Sequence, residues 1–138
     1  MIKLVNVTKC YQDTIALKNF NLEIPKGILL VLLGPSGCGK STVIKLINRL
    51  IQPTSGEIYI NNKNISQMEF SKLRRGIGYA IQSTGLFPHY NVYENIAVVP
   101  RLLKWTQRDI DHRVDDLLDL VGLNRNYKDK RPSELSGG

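Results

Sequence analysis

The sequence predicts an α/β fold built around a phosphate-binding loop, and three stretches carry that prediction. "ILLVLL", residues 28–33, is a short unbroken apolar run, typical of a strand buried on both faces in a parallel sheet covered by helices. "GPSGCGKST", Gly34 to Thr42, follows at once and fits G-x-x-x-x-G-K-[ST]. "TQRDIDHRVDDLLDLVGL" sets Ile110, Val114, Leu117, Leu118 and Val121 on one face of a helix.

The remaining elements fall in order around these three. "IKLVNV" alternates apolar and polar residues and reads as a half-buried strand. "LKNFNLEI" does the same through Leu17, Phe20, Leu22 and Ile24, and Pro25 with Gly27 marks a turn. After the glycine run, "STVIKLINRLI" has Val43, Ile44, Ile47, Leu50 and Ile51 at helical spacing, with Pro53 and Gly56 as stops. "EIYINNKNI" predicts a strand and a hairpin, because Asn61–Asn62 tolerates the left-handed backbone of a tight turn. "IGYAIQ" predicts another short strand after Gly76. "GLFPHYNVYENIAVV" begins as a loop around Pro88, turns helical near Val92 and is stopped by Pro100. Thr106 with Asp109 resembles a capping pair for the next helix, and Gly122 is its natural stop. "RPSELSGG" is made of turn formers.

The chain has 138 residues, 42% hydrophobic and 22% charged, which suits one globular domain and argues against disorder. A net charge of +7 suits an anionic partner such as a nucleotide, a nucleic acid or an acidic membrane surface. It is equally what a solvated basic surface gives, and the basic residues are scattered rather than gathered in a tail. Two cysteines, Cys10 and Cys38, without ligand spacing make a zinc site improbable and fit a reducing compartment. A bond between them would constrain a loop that must close on phosphate. "MIKLVNVTK" is too short and polar for a signal peptide, and no apolar run approaches a membrane span. The chain is therefore expected to be soluble, which leaves docking on a membrane protein open.

The loop has a specific physical logic. Gly34, Gly37 and Gly39 allow backbone conformations closed to residues with a Cβ, so the loop can wrap a phosphate and aim amides at it. Pro35, Ser36 and Cys38 fill the variable positions, and the helix that follows adds its positive end. Lys40 is expected to reach the β- and γ-phosphate oxygens, and the Ser41 hydroxyl to coordinate Mg²⁺ beside Thr42. The competing reading is a glycine-rich turn that only connects strand and helix; the buried strand before and amphipathic helix after argue against it. The loop alone leaves kinases, GTPases and helicases open.

Two later motifs narrow the choice. "YAIQSTGLFPHYNVYENI", Tyr79 to Ile96, resembles the Q-loop segment of ABC transporter ATP-binding subunits, and "LSGG", Leu135 to Gly138, resembles their signature. In this order after a phosphate loop, the resemblance runs over the whole chain. It implies a P-loop NTPase core of the ABC ATPase type, with an N-terminal antiparallel β subdomain and a helical segment. Residues 1–85 would form the nucleotide-binding core and β subdomain. Residues 86–138 would form the Q-loop and helical subdomain up to the signature.

By that resemblance ATP and Mg²⁺ are the cofactors. Lys40 and Gln82 are the catalytic residues present, and Gln82 with Ser41 would touch the metal. Tyr11 falls where the family stacks an aromatic on adenine; by local pattern alone it is a strand-end aromatic. Ser136, Gly137 and Gly138 would contact the γ-phosphate of ATP on a second subunit in a head-to-tail dimer. Leu86 to Tyr90 would meet the coupling helix of a membrane permease, which makes His89 a surface contact rather than a base. A solute-binding protein would take part indirectly, and no nucleic acid is expected. The protein would sit peripherally on the cytoplasmic face of the membrane.

"IQSTGLFPH" and "NIAVVPRLLKW" further resemble importer ATPases for quaternary-amine osmoprotectants such as glycine betaine, carnitine or choline. The family's Walker B aspartate, catalytic glutamate and switch histidine would follow Gly138. Residues 1–138 therefore read as the N-terminal part of a longer ATPase, expected by themselves to bind nucleotide without turnover. Without the strands of that other half, "ILLVLL" and "IGYAIQ" are expected to have unpaired edges and exposed apolar faces, leaving these residues marginal or self-associating. The alternatives are a soluble, non-transport ABC ATPase and a binding module without turnover.

Overall fold

The computed structural model describes residues 1–81 and 85–136. The chain divides into two compact units, Met1–Tyr79 and Ala80–Gly138.

The first unit is a four-stranded antiparallel sheet in the order β2-β1-β3-β4 with two helices. The strands are β1 (Ile2–Tyr11), β2 (Thr14–Ile24), β3 (Ser55–Ile60) and β4 (Lys63–Asn64). The helices are α1 (Lys40–Ile47) and α2 (Phe70–Arg75). Leu4, Val7 and Leu17 from the sheet meet Val43 and Leu46 of α1 in one core. Ile58, Ile65 and Leu73 complete it.

Leu17 and Phe20 break the alternation of β2 by one residue, and the structure shows why. The β1–β2 register slips between Leu4 and Val7 and again beyond Val7. Asn6 and Asn19 take the positive φ values of 49° and 45° there. The Asn6 and Asn21 side chains secure the first kink: Asn21 Nδ2 donates to Asn6 Oδ1 at 3.0 Å, and the Asn6 amide donates to Asn21 Oδ1 at 2.8 Å. Asparagine tolerates the left-handed region, so both bulges use a residue suited to it. The hairpin expected at Asn61–Asn62 joins β3 to β4, with both residues at positive φ.

Helix α1 stops at Ile47, earlier than Pro53 and Gly56 suggested. Its terminus is a left-handed cap at Arg49, φ 52°. The Leu50 amide donates to Lys45 O and the Arg49 amide to Leu46 O, both at 2.9 Å. Arginine rather than glycine holds this position because its guanidinium is committed: Nη1 donates to Ile65 O and Met68 O, and its Cζ lies 3.8 Å from the centroid of the Phe70 ring. Helix α2 had no counterpart in the sequence pattern, being only 6 residues long.

Two expected strands are not formed. Ile28–Leu33 joins no sheet, and Leu29 and Leu33 are 89% and 87% exposed. Residues 77–81 form no strand either, and Tyr79 and Ile81 are exposed. Apolar, β-prone sequence makes a strand only when a neighbouring strand takes up its amides and carbonyls, and among the described residues none does. The sheet observed is accordingly antiparallel, not parallel.

The second unit packs α3 (Val92–Leu102) against α4 (Gln107–Leu120) around Ala97, Ile110, Val114 and Leu118. Asn91 and Glu94 form a reciprocal capping box at the start of α3. Pro100 lies inside the last turn of α3 rather than beyond it. Chain reversal follows at Lys104, φ 58°, where the Trp105 amide donates to Pro100 O at 3.1 Å. Thr106 caps α4 as expected, accepting from the Asp109 amide at 3.2 Å. Gly122, φ 71°, ends it.

The two helices are also clipped by polar groups: Tyr93 Oη donates to Asp111 Oδ1 at 2.6 Å, and Gln107 Nε2 donates to the same oxygen at 2.8 Å. These bonds hold the Asp111 carboxyl below and the Tyr93 phenol above their ordinary values. Arg125, Lys128, Asp115 and Asp119 form an ion-pair network over the end of α4.

Candidate functional site

The glycine-rich stretch forms the loop leading into α1. Residues 34–38 are exposed, Gly39 is buried and Lys40 is half-buried, so the loop faces outward while its base is fixed in the core. Gly39 has φ 96° and packs on strand β2. A Cβ there would lie 2.8 Å from Ala16 O and 2.9 Å from Leu17 Cδ2. Gly34 is constrained from inside the loop, since a Cβ would sit 2.7 Å from Cys38 Sγ. Cys38 thus fills the loop, and both cysteines are free thiols.

Lys40 closes the loop on itself. Its ammonium donates to Gly34 O at 2.7 Å, Pro35 O at 2.6 Å and Cys38 Sγ at 3.3 Å. Those bonds bend the chain from residue 34 to 40 around one positive charge. At the helix start, the first intrahelical bond runs from the Val43 amide to Gly39 O at 3.0 Å. The Lys40, Ser41 and Thr42 amides precede it and point out of the helix end. Gly39 provides no side-chain cap, and the first turn holds no acidic residue. The positive end of α1, three amides and the Lys40 charge therefore converge on one exposed loop, a donor set that fits a phosphate. The exposed Ser41 hydroxyl lies in the same turn. Among the described residues no group of three or more His, Cys, Asp or Glu could hold a metal.

Tyr11 ends β1 opposite Thr14. Two residues on, about 7 Å along the strand, Ala16 presents the carbonyl that abuts Gly39. The β1–β2 hairpin thus ties Tyr11 to the base of the loop. The residue is 44% exposed, and its ring carries the Lys9 ammonium 4.9 Å from its centroid, a partner the sequence pattern did not single out.

The segment Leu86–Tyr90 presents its own cluster. Phe87 and Tyr90 rings lie 5.4 Å apart, and His89 packs edge-on against Tyr90 at 4.4 Å. Leu86 and Phe87 are exposed. Asn95, one turn into α3, clasps the segment: its Oδ1 accepts from the Phe87 amide at 2.8 Å, and Nδ2 donates to Phe87 O and Tyr90 O, each at 3.2 Å. Asn95 was not singled out from sequence; a polar residue on an otherwise apolar helix face was the available signal. Ser136 follows a short 3₁₀ turn, Pro132–Glu134. Gln82, Gly137 and Gly138 lie outside the described residues.

Fold and loop together define a phosphate-loop nucleotide-binding protein. Residues 17–138 match the ABC transporter family model, and the chain belongs to that family. The osmoprotectant import ATP-binding protein OsmV of Salmonella typhimurium is 49% identical over all of this chain and 38% of its own length. The choline transport ATP-binding protein OpuBA of Bacillus subtilis is 48% identical over all of this chain and 36% of its length. The chain thus spans well under half of these relatives. Among solved structures, the dimer of the ATP-binding cassette MJ0796 in a post-hydrolysis state, bound to ADP and Pi, superimposes with a TM-score of 0.84 at 34% identity. That match covers 99% of this chain and 64% of the other. The fold is therefore that of an ABC ATPase cassette, as the motifs implied.

Proposed function

We propose that these residues are the nucleotide-binding part of an ABC importer subunit that couples Mg-ATP binding and hydrolysis to uptake of a quaternary-amine osmoprotectant. The observation that carries this is the closed loop at Gly34–Lys40 with the uncapped start of α1 behind it. The roles of OsmV in osmoprotectant import and of OpuBA in choline transport support the choice of solute.

In this reading Tyr11 stacks on adenine. The amides of the loop and of Lys40, Ser41 and Thr42 hold the phosphates. Lys40 exchanges its carbonyl partners for β- and γ-phosphate oxygens, one charge-assisted set for another, so it is positioned before nucleotide arrives. Catalysis then rests on orientation and on electrostatic stabilisation of charge at the γ-phosphate. Mg²⁺ would be held by Ser41 and Gln82 and would neutralise charge between the β- and γ-phosphates. Ser136, Gly137 and Gly138 meet the γ-phosphate bound by a second subunit. The general base and a further metal ligand would come from residues outside 1–138, since the chain spans well under half of these relatives, and Ile28–Leu33 would pair with strands of that portion.

Leu86–Tyr90, with its exposed Leu86 and Phe87, is the docking surface for a permease, and a solute-binding protein acts further upstream. The subunit then works at the cytoplasmic face of the membrane. No helix among the described residues is long and apolar enough to cross a membrane.

The test uses the full-length protein co-expressed with its permease. Mg-ATP hydrolysis and uptake of labelled glycine betaine or choline should both disappear in Lys40→Ala. Uptake that persists in that variant would overturn the proposal, as would recovery of an active ATPase with no association with membranes.

A further inference from the structure

We propose that Lys9 is a positioning residue for Tyr11, holding the ring through its π face so that the ring is set for base stacking before nucleotide binds. This rests on the reading of Tyr11 as the stacking partner of the base.

Lys9 and Tyr11 are two residues apart on β1, so their side chains leave the same face of the strand. The Lys9 ammonium stands 4.9 Å from the Tyr11 centroid, inside the range of a cation–π contact. Only Lys3, with Glu23, and Lys128, with Asp115, are lysines paired to a carboxylate among the described residues, so Lys9 is not drawn away from the ring by such a partner. Lys9 has no carboxylate within ion-pair distance among the described residues, although the chain carries twelve acidic residues. Its stem is half-buried, which limits the directions the charge can take. The Tyr11 ring, in contrast, is exposed at a strand end, and the next residue, Gln12, has φ 47°.

An exposed ring at a hairpin tip would sample several χ1 and χ2 orientations, each of which must be given up on stacking. A cation on one face reduces that freedom and leaves the other face for a base. The backbone supports the arrangement from the far side, because the Cys10 amide between the two residues donates to Thr54 Oγ1 at 3.0 Å. Lys9 therefore acts through Tyr11 and not on the phosphates directly.

The test measures binding of Mg-ATP and of inorganic tripolyphosphate, which has no base, to the full-length protein. The variants are Lys9→Met, Lys9→Arg, Tyr11→Ala and the double variant Lys9→Met/Tyr11→Ala. The expected result is a two- to fivefold loss of ATP affinity in Lys9→Met, about the worth of an exposed cation–π contact. Tripolyphosphate affinity should not change, Lys9→Arg should restore ATP affinity, and Lys9→Met should have no effect once Tyr11 is alanine. Equal losses for ATP and tripolyphosphate would make Lys9 a phosphate contact and overturn the proposal, as would wild-type ATP affinity in Lys9→Met. If Tyr11→Ala binds ATP like wild type, the stacking reading itself fails, an outcome separate from failure of Lys9 alone.

Discussion

Alanine at position 39 should cost much more than alanine at position 37, although both replace a loop glycine with positive φ. Gly37 has φ 82° and an added Cβ would meet nothing within 4 Å, so only backbone strain is charged to Gly37→Ala. That strain is about 1–2 kcal/mol for a residue with a Cβ in the left-handed region. Gly39, at φ 96°, carries the same strain, and its Cβ would also lie 2.8 Å from Ala16 O and 2.9 Å from Leu17 Cδ2. A backbone oxygen cannot swing aside, and Leu17 is in the core, so β2 or the loop must shift. Overpacking of this kind costs a further 1–3 kcal/mol or so. The total for Gly39→Ala is then about 2–5 kcal/mol. Equilibrium urea unfolding of both variants reads the difference. Nucleotide affinity, measured where both remain folded, should fall further in Gly39→Ala because the shift displaces the amides at the start of α1. Equal stability losses in the two variants, or a larger loss in Gly37→Ala, would refute the packing of the loop on β2.

Three further outcomes follow from the same geometry. Tyr11→Ala should weaken ATP binding by about 1–3 kcal/mol, as loss of a base–aromatic stack does, while Tyr11→Trp retains it; unchanged fluorescence-titration curves for both would return Tyr11 to a strand-end residue. Asn95→Ala should release the Leu86–Tyr90 segment, speeding hydrogen exchange at the Phe87 amide roughly tenfold or more, since each lost bond is worth about 1 kcal/mol, and loosening any permease complex. The Tyr93–Asp111 clip should fade at both ends of the pH scale. Asp111 titrates below its ordinary 3.8 when folded, so its contribution exists above that value and is lost as pH falls through the lower folded value. Tyr93 titrates above 10.0, so its contribution exists below that value and is lost as pH rises through the higher one. The stability difference between wild type and Tyr93→Phe should be flat between those limits and vanish beyond them; a difference independent of pH would contradict it.

Local signals were legible from sequence where a few neighbouring residues decide the outcome. Asn61–Asn62 fixes its hairpin, Thr106 and Gly122 bracket α4, and the phosphate loop sits where its motif and flanks put it. What was hidden depends on distant partners. Residues 28–33 have the composition of a buried strand, but a strand is a property of a ladder and the described residues offer no neighbour. The stop of α1 at Arg49 looks unfavourable locally and works because Ile65, Met68 and Phe70, far along the chain, receive the guanidinium. The bulges at Asn6 and Asn19 were missed, because Leu17 to Ile24 reads as simple alternation unless the three-residue step from Leu17 to Phe20 is noticed. At the site, the loop residues were readable, whereas the Lys9–Tyr11 contact and the Asn95 clasp needed coordinates, because neither belongs to a spacing rule.

The most direct test of the central claim is equilibrium binding of Mg-ATP to wild type and Lys40→Met. Lys40 stands 2.7 Å and 2.6 Å from two loop carbonyls, so the substitution removes both the charge offered to phosphate and the bonds that keep the loop curved. The account predicts saturable binding by wild type and a loss of tenfold or more in Lys40→Met, with folding retained by circular dichroism. Equal affinity in the two proteins would contradict it.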